Sequence, residues 1–148
     1  MSNFNMENDM GYLASMTEDE RVVFLKTLAR LAMSDGEFDD EEKLFIREMA
    51  LALGVPENRY DEIRAKASDD EIVDAVKLIK DRKKAMMLIK EMCLLANSDG
   101  DLSDKEVLLI GRVGESMGLE LEKIEQISQW VIDRIVWLEE GKIIFEKV

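Results

Sequence analysis

The chain has 148 residues, 33 of them acidic and 20 basic, with no histidine, one cysteine and a formal net charge of -13. That length suffices for one domain with a real core, and a 47% apolar, 36% charged composition excludes disorder. The negative field excludes nucleic-acid phosphates and anionic lipid surfaces as partners, while favouring cations and basic proteins.

Helix signals follow one another along the chain and strand signals are almost missing. Residues 1–16 are polar with scattered Met6, Met10 and Leu13, and read as a weakly ordered or docked segment. Thr17-Glu18-Asp19-Glu20 is a capping box that opens a helix carrying Val23, Leu25, Leu28 and Leu31, which Asp35-Gly36 stops. Asp39 and Glu42 form a second box before Leu44, Phe45, Met49 and Leu53, with Gly54 ending that helix and Pro56 opening a short one to Lys66. Ser68-Asp69-Asp70-Glu71 caps a connector over 69–80, bearing Ile72, Val76 and Ile79.

Asp81 restarts the chain into a helix with Met86, Ile89, Cys93 and Ala96, which align with Val22, Leu25, Ala29 and Ala32 at an offset of 64 residues. Ser103 and Glu106 cap the next helix, Leu102 is placed to pack on Val107, and Gly118 partners Gly54. A last helix from about Glu120 to Glu140 places Leu121, Ile124, Ile127, Val131, Ile135 and Leu138 on one stripe, leaving 141–148 as a tail beyond Gly141. The fold class is therefore all-α: a single compact domain of about seven helices, spanning 17–140, on repeats 17–60 and 81–124.

The repeats share an acidic elbow. Ser34-Asp35-Gly36-Glu37-Phe38-Asp39-Asp40-Glu41-Glu42 returns as Ser98-Asp99-Gly100-Asp101-Leu102-Ser103-Asp104-Lys105-Glu106. Asp35, Gly36, Phe38 and Glu42 match the fifth, sixth, eighth and twelfth positions of an EF-hand loop, as do Asp99, Gly100, Leu102 and Glu106. The first and third positions fall on Leu31 and Met33, or Leu95 and Asn97, so a full EF-hand is excluded. Any divalent cation, calcium or magnesium, would bind weakly unless the elbows converge.

Helix capping alone accounts for much of each elbow, because these carboxylates satisfy orphan amides and oppose the macrodipole. Glu37, Asp40, Glu41 and Asp101 add mutual repulsion beyond what capping needs, which a cation or a basic partner surface relieves. Asp35, Glu37, Asp39, Glu42, Asp99, Asp101 and Glu106 are thus the candidate metal ligands.

Leu28-Ala29-Arg30-Leu31-Ala32-Met33-Ser34-Asp35-Gly36 with the acidic run after it, and Leu94-Leu95-Ala96-Asn97-Ser98-Asp99-Gly100 with Ser103-Asp104-Lys105-Glu106, resemble the TerB-like tellurite-resistance family over roughly Thr17 to Glu125. The resemblance implies a compact helical fold related to the amino-terminal domain of membrane-associated DnaJ-like co-chaperones. It also implies a stress-response role with acidic loops as a metal-binding surface, and assemblies reached at the inner face of the membrane through partners.

Tellurite itself is an anion that this charge repels. Absent histidine removes Ser-His and Cys-His nucleophile pairs, and Cys93 on an apolar helix face reads as a small hydrophobe, so a non-enzymatic module is expected. A metal-independent scaffold or oligomerisation domain is the alternative, with a carboxylate-dependent hydrolase a remote third. The ten methionines read as core rather than a partner groove, and Trp130 and Trp137 as partner anchors or edge packing. A lone cysteine, no apolar run long enough to span a bilayer and no leader pattern lead to an expected cytoplasmic location.

Overall fold

The computed structural model describes residues 14–32, 40–97 and 102–147. Seven α-helices lie wholly within them, with two 3-10 turns and no strand; residues 14–15 are also helical. The helices are α1 (Glu18–Ala32), α2 (Asp40–Ala52), α3 (Tyr60–Arg64), α4 (Asp69–Ala75), α5 (Arg82–Ala96), α6 (Asp104–Ser116) and α7 (Leu121–Glu146). The 3-10 turns are Glu57–Arg59 before α3 and Val76–Leu78 after α4.

Local chemistry sets the boundaries. At the start of α1 the Glu20 amide donates to Thr17 Oγ1 at 3.1 Å, while the Thr17 amide donates to Glu20 Oε1 at 2.9 Å. The same reciprocal box opens α4 through Ser68 and Glu71 and α6 through Ser103 and Glu106, and Asp81 caps α5 by accepting from the Lys84 amide at 3.0 Å. Each box satisfies amides that the helix cannot, which is why these starts are readable in the sequence.

The duplication is visible in the backbone. Helix α2 ends with Gly54 at φ +70° and α6 with Gly118 at φ +86°. Val55 donates to the Ala50 carbonyl and Gly54 to that of Leu51, and in the second repeat Leu119 donates to Gly114 and Gly118 to Glu115. Both are Schellman closures, and the left-handed conformation at their centre is why glycine stands at both positions. Leu28 and Met92, and likewise Ile46 and Ile110, are buried equivalents, as the alignment requires. The third aligned pair includes Phe38, which lies outside the described residues; its counterpart Leu102 is half-buried.

Helix α1 buries two faces. Phe24, Leu28 and Leu31 join the main core with Leu88, Met92, Ile110, Val113 and Val131, whereas Val22, Leu25 and Ala29 pack with Ile46, Ala50, Leu53, Val55, Tyr60 and Ile63. Met49 touches both clusters. In the second repeat the equivalents Ile89, Cys93, Ile110, Leu119 and Ile124 all belong to the main core, so one hairpin keeps its own small core and the other merges with the shared one. The connector contributes Ile72, Val76 and Ile79, and its acidic start is gripped by one arginine from each repeat: Arg30 on Asp69 at 2.8 Å, and Arg112 on Asp70.

Two expectations for the carboxy-terminal part are corrected. Helix α7 runs through Gly141 to Glu146, so there is no separate tail from 141. One helical glycine costs only about 1 kcal/mol, and its neighbours are good helix formers aided by a Lys142–Glu139 ion pair at 3.3 Å. The α7 stripe is core only in its middle: Ile124 and Val131 are buried, whereas Leu121 and Leu138 at its ends are exposed because α7 outreaches the helices it packs on. Val107 is also exposed, and half-buried Leu102 packs on the main core. No helix among the described residues is long and apolar enough to cross a membrane.

Two glycines of α6 make a paired prediction. A Cβ built on Gly114 would stand 2.4 Å from Ile124 Cδ1 and 2.8 Å from Cγ1, whereas one on Gly111 meets nothing within 4 Å. Position 114 is where α6 and α7 approach closely, and its equivalent Ala50 is likewise small and fully buried. Gly111→Ala should raise the unfolding free energy by about 0.5–1 kcal/mol, and Gly114→Ala should lower it by about 1–2 kcal/mol, in urea titrations. A stabilising Gly114→Ala would show that Ile124 moves aside freely.

Candidate functional site

The elbows hang from a helix pair whose direction can be read from side-chain contacts. Near the start of α1, Glu20 Oε1 accepts from Lys84 Nζ, near the start of α5, at 3.1 Å. These two positions are themselves repeat equivalents, 64 residues apart. Towards the other end, Leu28 of α1 lines a cleft with Glu91, Leu94 and Leu95 of α5 and Phe45 and Met49 of α2. Starts meet starts and ends meet ends, so α1 and α5 lie side by side and point the same way. The chain therefore leaves α1 for the first elbow, and α5 for the second, at one end of the bundle.

Of the seven candidate ligands, Asp35, Glu37, Asp39, Asp99 and Asp101 lie outside the described residues. Glu42 lies in the first turn of α2, its side chain undescribed. Glu106 is placed fully. It is the third residue of α6, half-buried, and its Oε1 accepts from the Ser103 amide at 3.0 Å. One oxygen of that carboxylate thus serves the cap. Among the described residues no group of three or more Asp, Glu, Cys or His side chains converges as a metal centre.

The ion pair that aligns the helices is strongly held. The Glu20 and Lys84 side chains are only 11% and 15% exposed. Burial raises the Glu20 carboxyl, but hydrogen bonds from the Thr17 amide and Lys84, the Lys84 charge and the Thr17 hydroxyl outweigh it and leave the group below its ordinary value. A carboxylate depressed in the folded state contributes stability above its unfolded pKa and loses it as pH falls through the folded one. Stability should accordingly fall on acidification below about pH 4.5. Glu20→Gln should cost about 1–3 kcal/mol at pH 7, because it leaves the largely buried Lys84 ammonium with neutral acceptors alone, the Ser15 carbonyl at 3.2 Å among them, and should flatten that acid limb. An unchanged acid limb in thermal melts of Glu20→Gln would remove this pair from the account.

Cys93 is buried, and burial pushes its thiol up to about 11, against a small opposing hydrogen bond with Ser128. It stays protonated at neutral pH and packs as a hydrophobe.

One feature escaped the sequence reading. Lys83, Met86, Met87 and Lys90 on α5, and Lys123, Gln126, Ile127 and Trp130 on α7, line a groove of about 400 Å³. Met86 and Met87 are half-buried rather than core. Each set has i, i+3, i+4, i+7 spacing, so lysines bracketing a methionine pair were the available signal.

The described residues define a class: an all-helical protein built on two repeated helix pairs, whose first helices run parallel and end side by side. The family model described as tellurite resistance protein TerB matches residues 7–65 and 58–129, and the chain belongs to that family. No curated protein and no solved structure matches the chain.

Proposed function

We propose that this TerB-family chain is a non-enzymatic, tellurite-resistance-associated module whose two elbows share one weak site for a divalent cation, calcium or magnesium. The observation that carries this reading is the parallel pairing of α1 and α5, fixed at one end by Glu20 and Lys84 and at the other by the Leu28–Leu95 cleft. Two half-sites, each lacking the first acidic ligand of an EF-hand, then pool their oxygens. Asp35, Glu37, Asp39, Asp99 and Asp101 supply the charge, Glu42 stands at the matching twelfth position, and Glu106 offers the oxygen that its cap leaves over. The same patch suits a basic segment of a protein partner, through which the module would join a membrane-associated complex without entering the bilayer itself.

A second reading is favoured by Glu106. Its carboxylate already completes a capping box, as expected of a metal-independent scaffold whose acidic residues only start helices. Thermal melts with and without calcium or magnesium separate the two. A cation that binds the native state alone with a millimolar constant adds about 1.4 kcal/mol at tenfold excess, a rise of roughly 3–6 °C for a chain of this size. No rise beyond that from sodium chloride of equal ionic strength would favour the scaffold.

A further inference from the structure

We infer that the groove between α5 and α7 binds a soluble, single-tailed amphipathic anion: an apolar chain ending in one carboxylate. The floor is apolar and adaptable, formed by Met86, Met87, Ile127 and Trp130, and a volume of about 400 Å³ suits a small ligand. In a chain of net charge -13, the only charged side chains lining it among the described residues are Lys83, Lys90 and Lys123. That local sign is opposite to the rest of the molecule, and selects anions where the bulk field repels them.

Lys123 donates to Gln126 Oε1 on its own helix at 2.8 Å, whereas the placement of Lys83 points to ligand binding rather than helix stability. Helix α5 opens Arg82-Lys83-Lys84 with no acidic residue in its first turn, against the preference of the macrodipole. Arg82 is held by Glu120 at 2.6 Å and Lys84 by Glu20, whereas Lys83 is exposed and has no acidic partner among the described residues. The Arg82–Glu120 pair joins the starts of α5 and α7, so Lys83 and Lys123, each in a first turn, stand at the same end of the groove. Lys90, further along α5, is buried and bonded to Glu91 at 3.2 Å. The carboxylate therefore sits at the Lys83–Lys123 end and the tail runs over the methionines towards Trp130.

The test uses the full chain carrying Trp137→Phe, which leaves Trp130 as its single indole. Dodecanoate, kept below its micelle concentration, should change Trp130 emission saturably, whereas dodecyltrimethylammonium and acetate should not. Lys83→Glu with Lys123→Glu should weaken dodecanoate about tenfold or more. An acid in a first helical turn suits the dipole, so this variant should keep its helicity. Lys83→Arg with Lys123→Arg should retain binding. Equal response to the cationic detergent, indifference to the charge reversal, no saturation at all, or binding only to phosphatidylglycerol vesicles would each overturn the proposal.

Discussion

Phe24→Ala and Leu88→Ala should each lower the unfolding free energy by about 3–5 kcal/mol, a large share of the roughly 5–15 kcal/mol that holds a domain of this size together. Phe24 is 2% exposed and Leu88 0%, and both lie in the main core. They are repeat equivalents, one helical turn beyond Glu20 and Lys84, so on parallel helices they fall on the facing sides of α1 and α5. The double variant should then cost less than the two losses combined, by about 0.5–3 kcal/mol, because the second truncation enlarges a cavity already opened by the first. Urea unfolding of the four proteins measures that coupling. Strict additivity would mean that α1 and α5 do not face one another there.

The prediction rests on which parts of the fold were legible. Thr17 with Glu20, Ser68 with Glu71, Ser103 with Glu106, and the paired Gly54 and Gly118 are local devices, each settled within a turn of chain, so short-range chemistry alone places them. The extent of α7 was not legible, since Gly141 is a breaker only where nothing else supports the helix. Nor was the half-exposure of Met86 and Met87, which depends on how much of α5 the start of α7 covers. Periodicity names an apolar face without saying whether a neighbour covers all of it.

For the candidate site, the sequence supplies the acidic residues but not the arrangement of the helices that lead to them. Two acidic segments at a 64-residue offset are written in the sequence, but that the helices leading into them end side by side requires knowing that α1 and α5 run parallel. Glu20 and Lys84 hold that information. At these equivalent positions one repeat carries an acid and the other a base, so the duplicated helices attract where identical copies would repel. Sequence reading gave Glu20 to its cap alone, and the structure gives it both tasks.

Asp35→Asn and Asp99→Asn follow from the same geometry and carry the larger functional effect. If each elbow formed its own site, either change would remove half of the binding and leave the other half intact. A shared site loses most of its affinity with either, and the double variant adds little further loss because the first has already broken the ligand set. Stability without cation should move by less than about 0.5 kcal/mol, since asparagine caps and tolerates turns about as well as aspartate.

Calorimetric titration of the unaltered chain and the two single variants with calcium, at fixed ionic strength, is the most direct test. One ion per chain, with binding weakened at least tenfold by either substitution alone, is the expected result; two independent ions, survival of full-affinity binding in one variant, or no heat at millimolar calcium would contradict a site shared between the elbows.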